Sequence, residues 1–467
     1  MGEGVVFGLA ASHTLDLTTG SVTKKLLRFV IPILISGLLQ HMYTIADRIV
    51  VGNFAASGKI ALAAVGATAP ATNLLLNFFI GIAVGVNVVC ANLRGGNQAQ
   101  RLRECMHTAM ILSLILGVIL TVVGVSLAEG LLARMGTPAD VLPSAAVYMR
   151  IYFMGMPGTL VYNFGAAILR SHGDAKRSMY ILGITGIVNV VLNLVLVIGF
   201  AMDVKGVAIA TITAQYLSAG AVLWILFHPG QEYGLRLAEV RLHRHLLLKM
   251  IAIGLPCGIN GVLQGVSNVI LQSAINSFNS ADIIAGNTAA TDINNFSYLV
   301  NTAFSTACVS FSGQCYGAKL YKRVDKLAVS SSLCNCGILV VLAVIVTLFP
   351  RQILRIFNSD PNVIEAGVFK MLLCSWSTMF FAVSETMVGC VRGMGKSTPP
   401  MLLNIFCLCG VRLIWVLLVF PHCPYDPAYV YLCFPVSWFL GVIAQTGYFL
   451  YCRKRLMANT APTVISA

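Results

Sequence analysis

The chain has 467 residues, 57% of them hydrophobic and only 10% charged; soluble domains carry about 25% charged residues, so it lacks the polar surface to live in water. The formal net charge of +14 does not imply nucleic acid, because the basic residues are scattered through short segments between apolar runs. Those runs are apolar all round, with a mean hydropathy of +0.83 for the chain, and lack the alternation of a β-barrel. The class left is an all-α integral membrane protein.

In chain order, residues 1–20 hold no lysine or arginine and read as a short, poorly ordered tail with no cleavable signal peptide. Apolar runs of spanning length follow near 26–52, 60–92, 104–127, 143–169, 178–201, 206–227, 246–279, 284–315, 327–349, 363–391, 398–420 and 428–451. The third and ninth are plain. The second and eighth are long and rich in Asn, Thr and Gly, which suits helices facing a cavity or other helices. The 42 glycines fit close helix approach in a bilayer. Among the 14 cysteines, Cys334 and Cys336, like Cys407 and Cys409, sit C-x-C within apolar helices. They read as small buried hydrophobes, with no disulfide or metal pattern.

Twelve spans put both termini on one side. If that side is cytoplasmic, the inner segments hold 22 of the 31 lysines and arginines. The outer ones hold Lys59, Arg134, Arg150, Lys205, Arg351, Arg355 and Lys370, while Arg48 and Arg412 lie within spans. The bias predicts a multi-pass protein of the cell (inner) membrane with both termini cytoplasmic.

The sequence repeats at a period of about 222 residues. "ILRSHGDAKRSMYI" (168–181) lies over "CVRGMGKSTPPMLL" (390–403), and "RGGNQAQR" (94–101) over "YGAKLYKR" (316–323). "IPILISGLLQ" (31–40) lies over "LPCGINGVLQ" (255–264) at a shift of 224, matching Pro32 to Pro256. Six spans per repeat keep equivalent helices in the same orientation, so the expected fold is two six-helix bundles related by a pseudo-two-fold axis along the membrane normal. The predicted organisation is a 1–20 tail, a 21–227 bundle, a basic cytoplasmic linker at 228–245, a 246–455 bundle and a 456–467 tail.

Asp47 is the residue out of place: a carboxylate in the apolar outer part of span one is expensive. It lies six residues below Asn53, or ~9 Å along a helix. Asn193 lies seven residues before Phe200 in span five, with Asn189 one turn below it on the same face, and Thr211 lies six residues after Lys205 in span six. All sit at a similar depth, so one carboxylate, two amides and a hydroxyl form an oxygen-rich pocket for a cation. Arg48 is a poor partner for Asp47, since adjacent helix residues point ~100° apart. A structural pairing of Asp47 with another group stays the alternative.

"DLTTGSVTKKLLRFVIPILISGLLQHMYTIADRIVVGNF", the Arg-x-x-Gly-Asp turn at 170–174 and the "ATITAQ" of span six resemble the multidrug and toxic compound extrusion (MATE) transporters, with the bacterial DinF-like branch nearest. The resemblance runs from about residue 16 to 455. It implies that a coupling cation, H⁺ or Na⁺, binds at Asp47, Asn189, Asn193 and Thr211, and that no other metal or cofactor is used. Many relatives have Asp where this chain has Asn193, so the site holds less negative charge, and a protonation cycle on Asp47 gains ground over tight Na⁺ binding.

Candidates for a substrate cavity are Gln40, Tyr43, Met156, Tyr162, Gln264, Asn268, Asp292 and Glu385, with Met154 and Phe164 beside them; core packing is the ordinary fate of the Met and aromatic members. Arg412 and Asp292 could equally pair structurally, and Arg170, Asp174 and Arg392 read as structural or gating residues at inner turns. "GMGKST" (393–398) lacks the first glycine of a phosphate-binding loop and follows no strand, so ATP hydrolysis is not expected. The reading is a monomeric secondary active antiporter of the lipid bilayer, not an enzyme, that exports amphipathic, often cationic organic compounds, driven by inward H⁺ or Na⁺ flow. A lipid or lipid-linked oligosaccharide flippase of the same superfamily is the alternative. A receptor or scaffold would need a soluble domain that no loop can hold.

Overall fold

The computed structural model describes residues 14–55, 57–228, 234–236 and 239–458. Tail residues 1–13 and 459–467, and most of the middle of the 228–245 link, lie outside them. Every regular element of the described residues is a helix, as a spanning segment must be where no water can satisfy the backbone.

Spans one to six are Val22–Phe54, Gly58–Gly95, Ala99–Arg134, the pair Leu142–Met154 and Met156–Ser171, Lys176–Leu194, and Asp203–Phe227. Spans seven to ten are Arg244–Asn276, Ala281–Gly317, Tyr321–Leu348 and Pro361–Gly393. Span eleven starts at Thr398–Asn404 and span twelve comprises Pro427–Tyr431 and Cys433–Ala458. Ten of these are long and apolar enough to cross a bilayer taken singly. The other two are span four, interrupted at Gly155, and span eight, whose outer part carries Asn287, Asp292, Asn294 and Asn295. Long side chains such as Val122, Leu127, Leu333 and Leu348 are exposed along the helices, a lipid-facing surface that water would not tolerate.

The internal repeat is visible in the backbone. Asn97 and Lys319 both have positive φ (53° and 59°), as do Gly173 and Gly395 (78° and 82°). Each pair is separated by the same ~222-residue step, so equivalent turns end spans two and eight, and spans four and ten.

The described residues form two compact units, 14–16 with 31–258 and 17–30 with 259–458. The division therefore does not fall in the 228–245 link. It cuts spans one and seven close to Pro32 and Pro256, where a missing backbone donor weakens the helix. Within the first unit, Gly81 and Gly85 of span two meet Gly254 and Gly258 of span seven. A Cβ on Gly254 would lie 2.7 Å from the Ile82 backbone, so only two facing small-x-x-x-small stripes permit this crossing. Within the second unit, spans eight and ten pack as closely: a Cβ on Gly286 would lie 2.6 Å from the Val363 carbonyl, and one on Gly393 2.6 Å from that of Val309.

Residues 14–20 are not a loose tail. The Leu15 N–H donates to the Gly173 carbonyl at 3.2 Å in the first unit. In the second unit, Arg323 donates to the carbonyls of Leu17 (2.9 Å), Gly20 (2.8 Å) and Thr19. Leu17 also donates to Gln314 Oε1 at 3.2 Å. The arginine fork matches a turn of converging carbonyls, which composition alone does not reveal.

Candidate functional site

Tyr43 and Asp47 lie one helical turn apart on span one and face span five together. The Tyr43 ring occupies the space that a side chain at Gly186 would need, and its hydroxyl donates to the Leu182 carbonyl. One turn further on, Asn193 Nδ2 donates to Asp47 Oδ1 at 2.5 Å and reaches Asn189 Oδ1 at 3.3 Å. The Thr211 hydroxyl is within hydrogen-bonding reach of Asp47 and of the Val207 carbonyl at 2.9 Å. Asp47, Asn189, Asn193 and Thr211 thus converge. Asp47 makes no ion pair among the described residues, and Arg48 is exposed.

One atom in this cluster is unaccounted for. Asn193 is fully buried, yet its Oδ1 has no hydrogen-bond partner. An unpaired buried amide oxygen is expensive and calls for a donor or a cation. The cluster fits an oxygen-liganded monovalent ion or a proton in its chemistry, with one carboxylate, two amide oxygens and a hydroxyl. Directly after Asn193 the helix widens into a π-turn, Val195–Gly199, a local irregularity common at functional positions.

Of the remaining candidates in the first unit, Gln40 is exposed on span one, while Met156 and Tyr162 are buried in its packing. The Tyr162 hydroxyl donates to the Ser178 carbonyl at 3.2 Å. In the second unit, Gln264 Oε1 accepts from the Tyr298 hydroxyl at 2.7 Å. Glu385 Oε2 accepts from Ser305 at 3.3 Å, while its Oε1 is buried without a partner. Asn268 and Asp292 are exposed. Asp174 pairs with Arg177 at 3.3 Å, both fully buried, and holds the turn after span four.

A family model described as MatE matches this chain twice, over residues 32–195 and 256–418, once in each repeat. The chain belongs to the MatE family. It is accordingly a multi-pass membrane transporter of small organic compounds and not an enzyme. The chain is 25% identical over 442 residues to the "Probable multidrug resistance protein YoeA" of Bacillus subtilis, covering 93% of this chain and 95% of that protein. It is also 25% identical to the "FAD transporter" of Shewanella oneidensis, covering 76% and 79%. Among solved structures, an outward-facing multidrug resistance MATE family transporter of the MOP superfamily has the same fold. Its TM-score is 0.88 at 21% identity, with 96% of this chain and 99% of that one covered.

This MatE chain has neighbours around its candidate sites that sequence reading missed. Tyr148 and Tyr152 of span four lie within electrostatic range of Asp47 and stack on each other at 6.1 Å. An i, i+4 tyrosine pair looks like ordinary packing in sequence. Lys370, counted above as an outer-segment residue, is in fact only 5% exposed within span ten. Its nine-residue offset from Pro361 was the available signal, since it places the lysine more than two turns into the helix.

Proposed function

We propose that this chain is a secondary active antiporter that exports amphipathic organic compounds, often cationic, in exchange for H⁺ or Na⁺, with Asp47 as the coupling group. It belongs to the DinF-like branch, works as a monomer and keeps both termini in the cytoplasm. Asp47, Asn189, Asn193 and Thr211 bind the coupling ion, and Gln40, Tyr43, Met156, Tyr162, Gln264, Asn268, Asp292 and Glu385 contribute to substrate passage. Relatives named for multidrug resistance support the export of organic compounds; one named for FAD transport leaves the charge of the substrate open.

The observation that carries this reading is the orientation of the Asn193 amide. Asn193 turns its NH₂ toward Asp47 Oδ1, the arrangement that suits an ionised carboxylate, and leaves its own Oδ1 unpaired. A proton arriving on Asp47 makes the carboxyl a donor, and rotation of the amide by ~180° brings Oδ1 round to accept from it. A Na⁺ ion requires the same rotation, because it too needs an oxygen facing Asp47. Either way the Asn193 Nδ2 bonds to Asp47 and Asn189 are released together, so ion binding on span one is felt on span five. Alternating access follows if the two ion states favour different arrangements of the spans.

Purified protein in liposomes, given an inward H⁺ or Na⁺ gradient separately, tests this. Substrate efflux should follow at least one of the two gradients. Efflux indifferent to both, with ligand binding intact, would remove the antiport reading.

A further inference from the structure

We propose that the second unit carries a binding site for the anionic group of an aromatic substrate, with Arg412 as its ligand and Lys370 as a fixed positive charge. The proposal rests on the reading of the chain as an exporter and names a substrate class for it.

The internal repeat sets up the comparison. At the 224-residue shift Asp47 falls opposite Leu271, so the second unit has no carboxylate where the first has its coupling group. At the ~222-residue step Lys370 falls opposite Tyr148, and Arg412 opposite Val190, next to Asn189. The region equivalent to the first unit's Asp47 cluster therefore holds two cations, with the Asp292 carboxylate within electrostatic range of Lys370 and that of Glu385 within range of Tyr298. The two cations are neighbours, since Cys374 and Cys433 lie within electrostatic range of both. Span eleven is also irregular there: Arg412 lies in the four-residue turn Val411–Ile414, between π-turns Ile405–Gly410 and Trp415–Val419.

The two cations have different surroundings. Lys370 donates to the Asn287 carbonyl at 3.2 Å, to Asn287 Oδ1 at 2.7 Å and to Thr291 Oγ1, which uses all three of its hydrogens. It is held in place, and its charge is left without a bonded counter-ion. Arg412, 7% exposed, donates only from Nε, to Ser437 at 3.3 Å. Its two terminal nitrogens make no hydrogen bond among the described residues. Neither cation is in an ion pair among the described residues. A guanidinium that is buried, unpaired and presenting two parallel N–H groups has the geometry for a carboxylate or phosphate.

The walls specify the rest of the ligand. The guanidinium lies 4.7 Å from the Phe434 ring centre and 6.0 Å from that of Trp438. From there an aromatic row continues, Trp438 to Phe381 at 5.7 Å and Phe381 to Tyr298 at 5.4 Å. An aromatic ring carrying an anionic group would lay its ring along this row and its charge on Arg412. A permanent cation of the same shape would meet Arg412 and Lys370 as like charges.

The test uses two probes that share a ring and differ in charge, 2-naphthoate and (2-naphthyl)trimethylammonium. Equilibrium binding to the purified full chain, with no gradient present, separates this site from coupling. The wild type should bind 2-naphthoate more tightly than the ammonium. Arg412→Gln should weaken naphthoate binding by ~10-fold or more, as loss of a charged hydrogen-bond pair does, and leave the ammonium unchanged or improved. Lys370→Met should weaken naphthoate by a smaller factor, and Arg412→Lys should retain more binding than Arg412→Gln. If a variant does not fold, the wild-type preference between the probes still decides. Equal wild-type affinity for the two, or naphthoate binding unaffected by Arg412→Gln, overturns the proposal. Gradient-driven efflux of the ammonium without naphthoate preference would sink this site and leave the antiporter; naphthoate preference without driven efflux of any probe would do the reverse.

Discussion

Replacing Gly186 by alanine puts a methyl group where the Tyr43 ring lies, so the ring must leave or the two helices must part. Overpacking of this kind costs about 1–3 kcal/mol. Displacing the ring also breaks the hydrogen bond from Tyr43 to Leu182, worth about 0.5–1.5 kcal/mol. The sum is ~1.5–4.5 kcal/mol, borne at the contact that aligns span one with span five. Asp47 is one turn beyond Tyr43, and a shift of 1–2 Å there would break its 2.5 Å hydrogen bond with Asn193. Thermal unfolding in detergent and gradient-driven efflux in liposomes report the two effects. Gly186→Ala should lower the melting temperature and reduce driven efflux by ~10-fold or more, since ångström displacements carry penalties of that order. Combining it with Tyr43→Ala removes the clash, so the double variant should be more stable than the sum of the single losses predicts. Strict additivity of the two, or wild-type efflux in Gly186→Ala, would refute Tyr43 as the residue that registers Asp47 on span five.

Two other outcomes are expected. Efflux by the wild type should run on a pH gradient in Na⁺-free buffer, and Asn193→Asp should raise its Na⁺ dependence, because a second carboxylate favours a hard cation; strict Na⁺ dependence of the wild type would contradict this. Arg323→Gln should release the 17–20 segment and speed tryptic cleavage at Lys24 and Lys25 several-fold, since three carbonyls lose their donor; unchanged cleavage would show that the arginine does not hold it.

The twelve spans and the repeat were legible because both are written in long-range patterns: apolar runs that only a bilayer explains, and paired turns such as Arg170–Asp174 and Arg392–Lys396. Asp47 was legible for the opposite reason, as a carboxylate inside such a run, and helix rise alone placed Asn189, Asn193 and Thr211 at its depth. What failed depended on packing between helices. Lys370 reads as one of the outer-segment charges because a charge near a span end ordinarily reaches water, whereas this one finds Asn287 and Thr291 on span eight. The seat of the Tyr43 ring against Gly186 is likewise set by how spans one and five meet, which neither residue announces alone. The division of the chain within spans one and seven follows from which neighbours each half-helix meets, and no run of residues announces it. Arg412 was noted as a mid-span charge; that its terminal nitrogens would lack partners is a property of the fold.

The central claim is that Asp47 couples ion entry to export, and Asp47→Asn tests it most directly when driven efflux and passive exchange are measured on the same liposomes. The variant should still bind substrate and exchange it between equal pools on both sides, while efflux driven by either a H⁺ or a Na⁺ gradient is lost. Driven efflux at the wild-type rate in Asp47→Asn would contradict the account.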